Sequence, residues 1–264
     1  MIYLKTYFYS PHEIKFLKLN LLEAYDYIDK FIICEYNMRH TGLPSKNDYI
    51  FEEHINEFPE ELRDKIIYLK CDIKDKVIPA YDNEHIMLSH NVRLMRGYFQ
   101  SQLEFEDEDI VISVEADEII YGHKYPDILK SVEQHGSVAL NLWQFFYKPN
   151  YLWINKDWVA PNIAKFKEHK NEYPANWRYG PITFPERVGC HFCYCMSVDE
   201  MIVKLLESFP HVEHRKCANR EILENAIKTK KWPFDDREFE IKELNDDTNL
   251  WTENMRKMFS TFKN

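Results

Sequence analysis

Three carboxylates, Glu115, Asp117 and Glu118, fall within four positions directly after the apolar run IVISV (110–114). Carboxylates this close repel one another and resist burial, so a metal ion, a basic side chain or solvent must share their site. Glu115 and Asp117 flank Ala116, and in an extended or tightly turned segment both can approach one cation. Magnesium and manganese take oxygen ligands and keep positions open for substrate phosphates, which makes Glu115 and Asp117 candidate metal ligands; a solvated strand end is the plain alternative. His191, in GCHFCYC, is a further candidate ligand or phosphate contact. The cysteines around it do not form the two separated pairs of a structural zinc site, and alternation sets Cys193 and Cys195 on one strand face as buried thiols.

Two other stretches carry groups suited to a phosphorylated ligand. In CEYNMRHTGLPSK, Glu35 precedes Arg39, His40, Thr41 and Lys46, a mixture that can hydrogen-bond a base and sugar while a cation meets a phosphate; an ordinary surface turn has the same composition. In NEHIMLSHNVRLMRG, Glu84 and His85 open a helix, and Arg93 and Arg96, three residues apart, can both face a diphosphate.

These groups need a scaffold, and the periodicities supply one. IYLKTYFY reads as a strand, PHEIKFLKLNLLEAYDYI as a helix with Pro11 in its first turn, and KFIICEY as a second strand, an order that predicts a parallel sheet. KIIYLKC is a third strand, residues 83–104 a long helix, and 109–114 a short buried strand. The acidic group therefore sits just past the C-terminal end of a sheet strand, where open α/β sheets bind ligands. YPDILKSVEQHG predicts a short helix, SVALNLWQFFYK a strand and YLWINKDWVAPNIAKF a hairpin or long excursion. Ser197 with Glu200 forms a capping box ahead of MIVKLLESF, and Asn219 is placed to cap REILENAIKTK.

At 264 residues the chain suits one α/β domain spanning 1–264, with 231–264 a polar extension holding enough apolar residues to pack. Its 40 aromatic residues, 17 Tyr, 17 Phe and 6 Trp, against 6 Gly argue against disorder. A formal charge of -10 makes nucleic acid a poor partner, yet leaves room for a local basic patch. The sequence has no apolar run long enough to span a membrane and no recognisable leader, so a soluble protein in a reducing, cytoplasmic, or viral or bacterial setting is expected.

The stretches NLLEAYDYIDKFIICEYNMRHTGLPSK, NEHIMLSHNVRLMRG, IVISVEADEI, VGCHFCYC and KLLESFPHVE, in this order and spacing, resemble glycosyltransferase family 17, the β-1,4-mannosyl-glycoprotein β-1,4-N-acetylglucosaminyltransferase family. The resemblance implies a single-domain GT-A-like α/β fold with a mixed, mostly parallel sheet flanked by helices. It also implies a nucleotide-diphosphate sugar as donor, a glycan or glycoprotein acceptor, Mn2+ or Mg2+ at the acidic motif and inversion at the anomeric carbon. The chain departs from the family in carrying Glu115 for Asp, SPHE for Asn-Glu-Leu-Asp, Lys18 for Arg and Cys190 for Trp, and it has no counterpart of the family's lumenal membrane anchor. Under this reading Asp117 and Glu115 hold the metal, Arg93, Arg96 or His191 supplement it, and Glu118 or Glu84 is the general base. Trp143, Phe145, Tyr147, Trp153 and Trp158 are candidates for stacking on an acceptor sugar. A two-metal phosphoesterase or nucleotidyltransferase and a non-catalytic glycan-binding module are the alternatives.

Overall fold

The computed structural model describes residues 1–45, 49–78, 84–171, 177–207 and 212–260, with backbone alone at 84–88, 207, 212 and 213. Lys46 and the side chains of Glu84 and His85 lie outside the described residues. The strands are β1 (Ile2–Phe8), β2 (Lys30–Tyr36), β3 (Ile66–Cys71), β4 (Ile110–Ser113), β5 (Glu118–Ile120), β6 (Ser137–Phe146), β7 (Tyr151–Lys165), β8 (Thr183–Cys193) and β9 (Ile241–Glu243). The helices are α1 (Ile14–Ala24), α2 (Phe51–His54), α3 (Glu60–Arg63), α4 (Glu84–Gly97), α5 (Tyr125–His135), α6 (Val198–Glu207), α7 (Val212–Arg215), α8 (Arg220–Thr229) and α9 (Glu253–Ser260).

One mixed sheet runs β3-β2-β1-β4-β7-β6-β8-β5, with β9 beside β7. Its first four strands are parallel, β7 pairs antiparallel with both β4 and β6, and β5 pairs antiparallel with β8. This is the GT-A-like α/β architecture, with helices on both faces. Alternation explains the two layers. Leu4 and Phe8 of β1, with Phe31 and Ile33 of β2, pack against Ile14, Leu17 and Leu21 of α1 and Ile128 of α5. Tyr3, Tyr7, Ile32 and Cys34 face the other way, onto Leu94 and Met95 of α4. Strands covered on both sides lose the polar half of their alternation, which is why β1 and β2 are buried almost throughout.

The long helix expected over 83–104 stops at Gly97 and tightens into a 3-10 turn, Tyr98–Ser101. The stretch 151–165 is neither a hairpin in itself nor an excursion but one long strand, which forms a hairpin with β6. Both expected caps form: Ser197 and Glu200 bond reciprocally at the start of α6, and the Asn219 side chain accepts from the backbone N–H groups of Glu221 and Ile222. The C-terminal segment is tied down by β9 on β7 and by Met255 and Phe259 of α9, which pack with Phe16 and Leu19 of α1. Among the described residues, no helix is long and apolar enough to cross a membrane.

Candidate active site

The chain leaves β4 at Ser113, turns through Glu115–Asp117 and enters β5, so the acidic residues occupy a tight turn beyond the carboxyl ends of β1, β2 and β4. The turn closes on itself: Glu118 N donates to Glu115 O at 3.0 Å, and Glu115 N donates to the Glu118 carboxylate at 2.8 Å. From α1, the buried Asn20 amide donates to Glu118 O at 2.9 Å and to Glu115 O at 3.4 Å. On the other side Glu118 stands opposite His191 in the β5/β8 pairing, and Phe192 N donates to Asp117 O. Gly189 makes this approach possible, since a Cβ there would lie 2.0 Å from Ile119 O.

Each carboxylate has a protein cation. Glu115 bonds Arg96 of α4 at 2.6 Å and lies 3.6 Å from Arg178. Burial opposes its charge, yet Arg178 and Arg96, with a hydrogen bond from Tyr7, hold its carboxyl well below the ordinary range. Glu118 is fully buried and takes both arms of the Arg178 guanidinium, the Trp158 indole N–H at 2.6 Å and the Glu115 amide, which spends both oxygens inside the protein. Asp117 meets Lys204 of α6 at 3.3 Å and His191 Nε2 at 3.7 Å. Burial would discharge Lys204, but Asp117, with Cys193 and Glu13, raises its pKa above the ordinary lysine value.

His191 lies flat against Trp158, ring centroids 4.4 Å apart, and burial lowers its pKa, so near neutral pH the imidazole is uncharged and keeps a lone pair. Asp117 and His191 together offer one carboxylate and one imidazole nitrogen within the span of a single ion's coordination shell. Both are ligand types that a divalent cation accepts. Among the described residues no group of three His, Cys, Asp or Glu converges, because Glu115 is turned toward the arginines.

The opposite wall is built by the segment between β1 and α1. Glu13 accepts from Tyr9 N at 2.8 Å, and burial, opposed by Lys204 and reinforced by Asp117 and Glu115, lifts its carboxyl to about 7. Burial and Lys204 press the neighbouring His12 down to about 4. Beside them Tyr9 contacts His40, Tyr7 packs edge-on to Tyr9 at 4.9 Å, and Tyr7 reaches Glu115, forming a line of polar aromatics from the turn after β2 to the acidic turn.

Residues 6–231 match the sequence model of glycosyltransferase family 17. The chain belongs to this family. It is therefore a nucleotide-sugar-dependent glycosyltransferase. No curated protein matches it. Among solved structures, TarS 1–349 of S. aureus is 11% identical over 86% of this chain and 73% of its own, at a TM-score of 0.37. A second S. aureus TarS structure is 12% identical over 86% and 43%, at 0.36.

The glycosyltransferase brings Glu115, Asp117, Glu118, Arg96 and His191 into one cluster. Glu35 is elsewhere: its buried carboxylate accepts from the backbone of Ile50 and Phe51 and from the Tyr68 hydroxyl, fastening α2 to the sheet. Thr41 is buried in the turn after β2 with no partner for its hydroxyl among the described residues, and Arg93 is exposed on α4. Of the aromatics expected to stack on sugar, Phe145 and Trp153 are core, Trp143 lies under Arg187, and Trp158 serves His191 and Glu118. Sequence reasoning passed over Arg178, Lys204 and Glu13. Lys204 carries a legible signal, a lone cation inside the apolar MIVKLLE one turn after a capping Glu; Arg178, in WRYG, carries none.

Proposed function

We propose that the enzyme transfers a sugar from a nucleotide-diphosphate sugar to a glycan hydroxyl with inversion, in the cleft between the acidic turn, the β8/α6 junction and the start of α1. The acceptor oxygen attacks the anomeric carbon on the face opposite the diphosphate, the bond from that carbon to the β-phosphate oxygen breaks, and the nucleoside diphosphate leaves with the electron pair. The acceptor proton passes to Glu13, whose pKa near 7 suits a group that must be ionised to receive it and can release it afterwards. Glu118, the base suggested by position alone, better fits a structural role, since its oxygens are committed to Arg178, Trp158 and the turn.

Asp117 and His191 would hold the divalent ion, Mn2+ or Mg2+, which when bound neutralises charge on the departing diphosphate. Lys204 stands beside the same carboxylate and extends this positive field toward the leaving group. Arg96 and Arg178 act one layer out, orienting Glu115 and Glu118 and so the turn that carries Asp117. The observation that carries this reading is the convergence of Asp117 and His191 across the β5/β8 pairing, with the raised carboxyl of Glu13 in electrostatic reach.

The test is titration of a panel of nucleotide sugars, with manganese and with chelator, into the wild type, Asp117→Asn and His191→Ala. Metal-dependent binding of one donor that weakens at least tenfold in both variants is expected. Donor binding that ignores both substitutions and the chelator would overturn the assignment of the ion to these residues.

A further inference from the structure

A cavity of about 790 Å³ opens beside the acidic cluster, between the β6–β7 turn, the β8–α6 turn and the C-terminal segment. Its apolar lining includes Tyr147, Trp251 and Phe259, and its polar lining includes Lys15, Glu200 and Arg256. The volume is that of a site for a ligand larger than one ring. Aromatic rings interleaved with charges of both signs do not select a phosphate or an acidic ligand. They suit a neutral ligand that presents apolar C–H faces together with many hydroxyls, each able to donate and accept.

The cavity shares two walls with the reaction centre. On α6, Glu200 lines the cavity and Lys204, one turn later on the same face, meets Asp117. At the start of α1, Lys15 lines the cavity, and three residues before it His12 feels the charges of both Glu200 in the cavity wall and Asp117 in the reaction centre. The charges of Asp117 and Lys204 also reach Cys195 in the cavity wall, so the cavity and the reaction centre are neighbours. Tyr147, whose φ of 69° is the left-handed region unusual for a tyrosine, is fixed there by donating its hydroxyl to Lys231 O at 2.9 Å.

We propose that this cavity holds the acceptor, a neutral, hydroxyl-rich oligosaccharide of more than one sugar unit, while the nucleotide occupies the separate edge beyond β1, β2 and β4. This rests on the glycosyltransferase reading of the acidic cluster. It requires that blocking the cavity weaken acceptor binding and spare the nucleotide.

The experiment uses the full chain and two variants at exposed positions of the lining, Ser260→Trp from α9 and Lys148→Trp from the β6–β7 turn, each checked by thermal melting against the wild type. Neutral tetrasaccharides ending in glucose, mannose, galactose or N-acetylglucosamine are titrated into each protein, and nucleoside diphosphates with manganese are titrated separately. The expected result is that at least one saccharide binds the wild type, that its Kd rises at least tenfold in both variants, and that the nucleoside diphosphate Kd stays within twofold. Equal saccharide binding by wild type and variants would place the acceptor elsewhere, and loss of the nucleoside diphosphate in the variants would assign the cavity to the donor. Failure of all four saccharides on the wild type overturns the neutral-oligosaccharide class, whereas failure of every nucleoside diphosphate on the wild type strikes the reading of the acidic cluster itself.

Discussion

At the scale of single residues, the site is a set of charges whose burial is tolerable only because each has a partner, and the partners differ in what they leave free. Glu118 and Arg178 leave nothing free. Replacing Arg178 with Ala strands a fully buried carboxylate, a loss expected to cost about 3–5 kcal/mol in denaturant titrations, with activity falling through disorder of the turn. Glu13 is the opposite case, a half-buried carboxyl with a pKa raised to about 7. Since burial raises the folded pKa above the unfolded one, the folded state holds the proton more tightly, and stability drains away as pH climbs from the unfolded pKa through 7. Glu13→Gln is therefore expected to match the wild type in melting temperature below pH 5 and to gain about 1–2 kcal/mol above pH 8. If Glu13 is the base, wild-type transfer rises with pH about a midpoint near 7, and the Gln variant loses roughly 10²–10⁴-fold and the midpoint with it. A variant that keeps the wild-type midpoint would move the base to another group. Sequence alone showed the three carboxylates and His191 because clustered charge is visible in any order. It did not show Glu13 as a base, since its raised pKa comes from burial in the folded chain, reinforced by Asp117 and Glu115, about a hundred residues away in sequence.

At the scale of elements, what could be read was whatever is local. The capping box at Ser197 and Glu200, the Asn219 cap and the strand–helix–strand opening each depend on residues within a few positions of one another, and each forms. β5 escaped because it has three residues and begins with the buried Glu118; of β8 only the end was read, as the strand face given to Cys193 and Cys195, because Pro185 and its exposed first half break the alternation, and the strand stops at Cys193, before Cys195. Yet that pair carries Asp117 and His191 toward one another. Gly189 is its tightest point, and a methyl group there collides with the Ile119 carbonyl at 2.0 Å, a main-chain atom that cannot rotate aside. Gly189→Ala is expected to cost about 1–3 kcal/mol by thermal or denaturant unfolding as β5 retreats. It should also reduce donor hydrolysis at least tenfold, because Asp117 moves with the strand. Unchanged stability and activity would mean that β5 is not pressed on β8 as described.

At the scale of the whole molecule, the sheet joins a parallel half that carries the edge beyond β1, β2 and β4 to a half built on the β6–β7 hairpin and β8, and the reaction centre takes residues from both. The C-terminal segment reinforces the junction from outside. Glu23, buried near the end of α1, accepts from Gly122 N at 3.0 Å, the Thr252 hydroxyl at 2.5 Å and the Asn254 amide at 3.1 Å, so one carboxylate ties α1, the loop after β5 and the start of α9 together. Such a tie spans almost the whole chain and leaves no mark in local sequence. Glu23→Ala removes the acceptor from all three donors. Gly122, Thr252 and Asn254 are all half-buried; the two side chains can turn to water whereas the Gly122 main-chain N–H cannot, and a loss of about 1–3 kcal/mol is expected. The location of the loss is more telling than its size. Amide hydrogen exchange over 253–260 should accelerate well beyond that in β1, β2 and β4, since α9 is held to α1 by this carboxylate and by Met255 and Phe259 on Phe16 and Leu19. As α9 supplies Arg256, Phe259 and Ser260 to the cavity, acceptor binding should weaken in the same variant while nucleotide binding persists. Uniform acceleration across all strands would instead show that α9 and the sheet unfold as one cooperative unit, with Glu23 contributing to global stability alone.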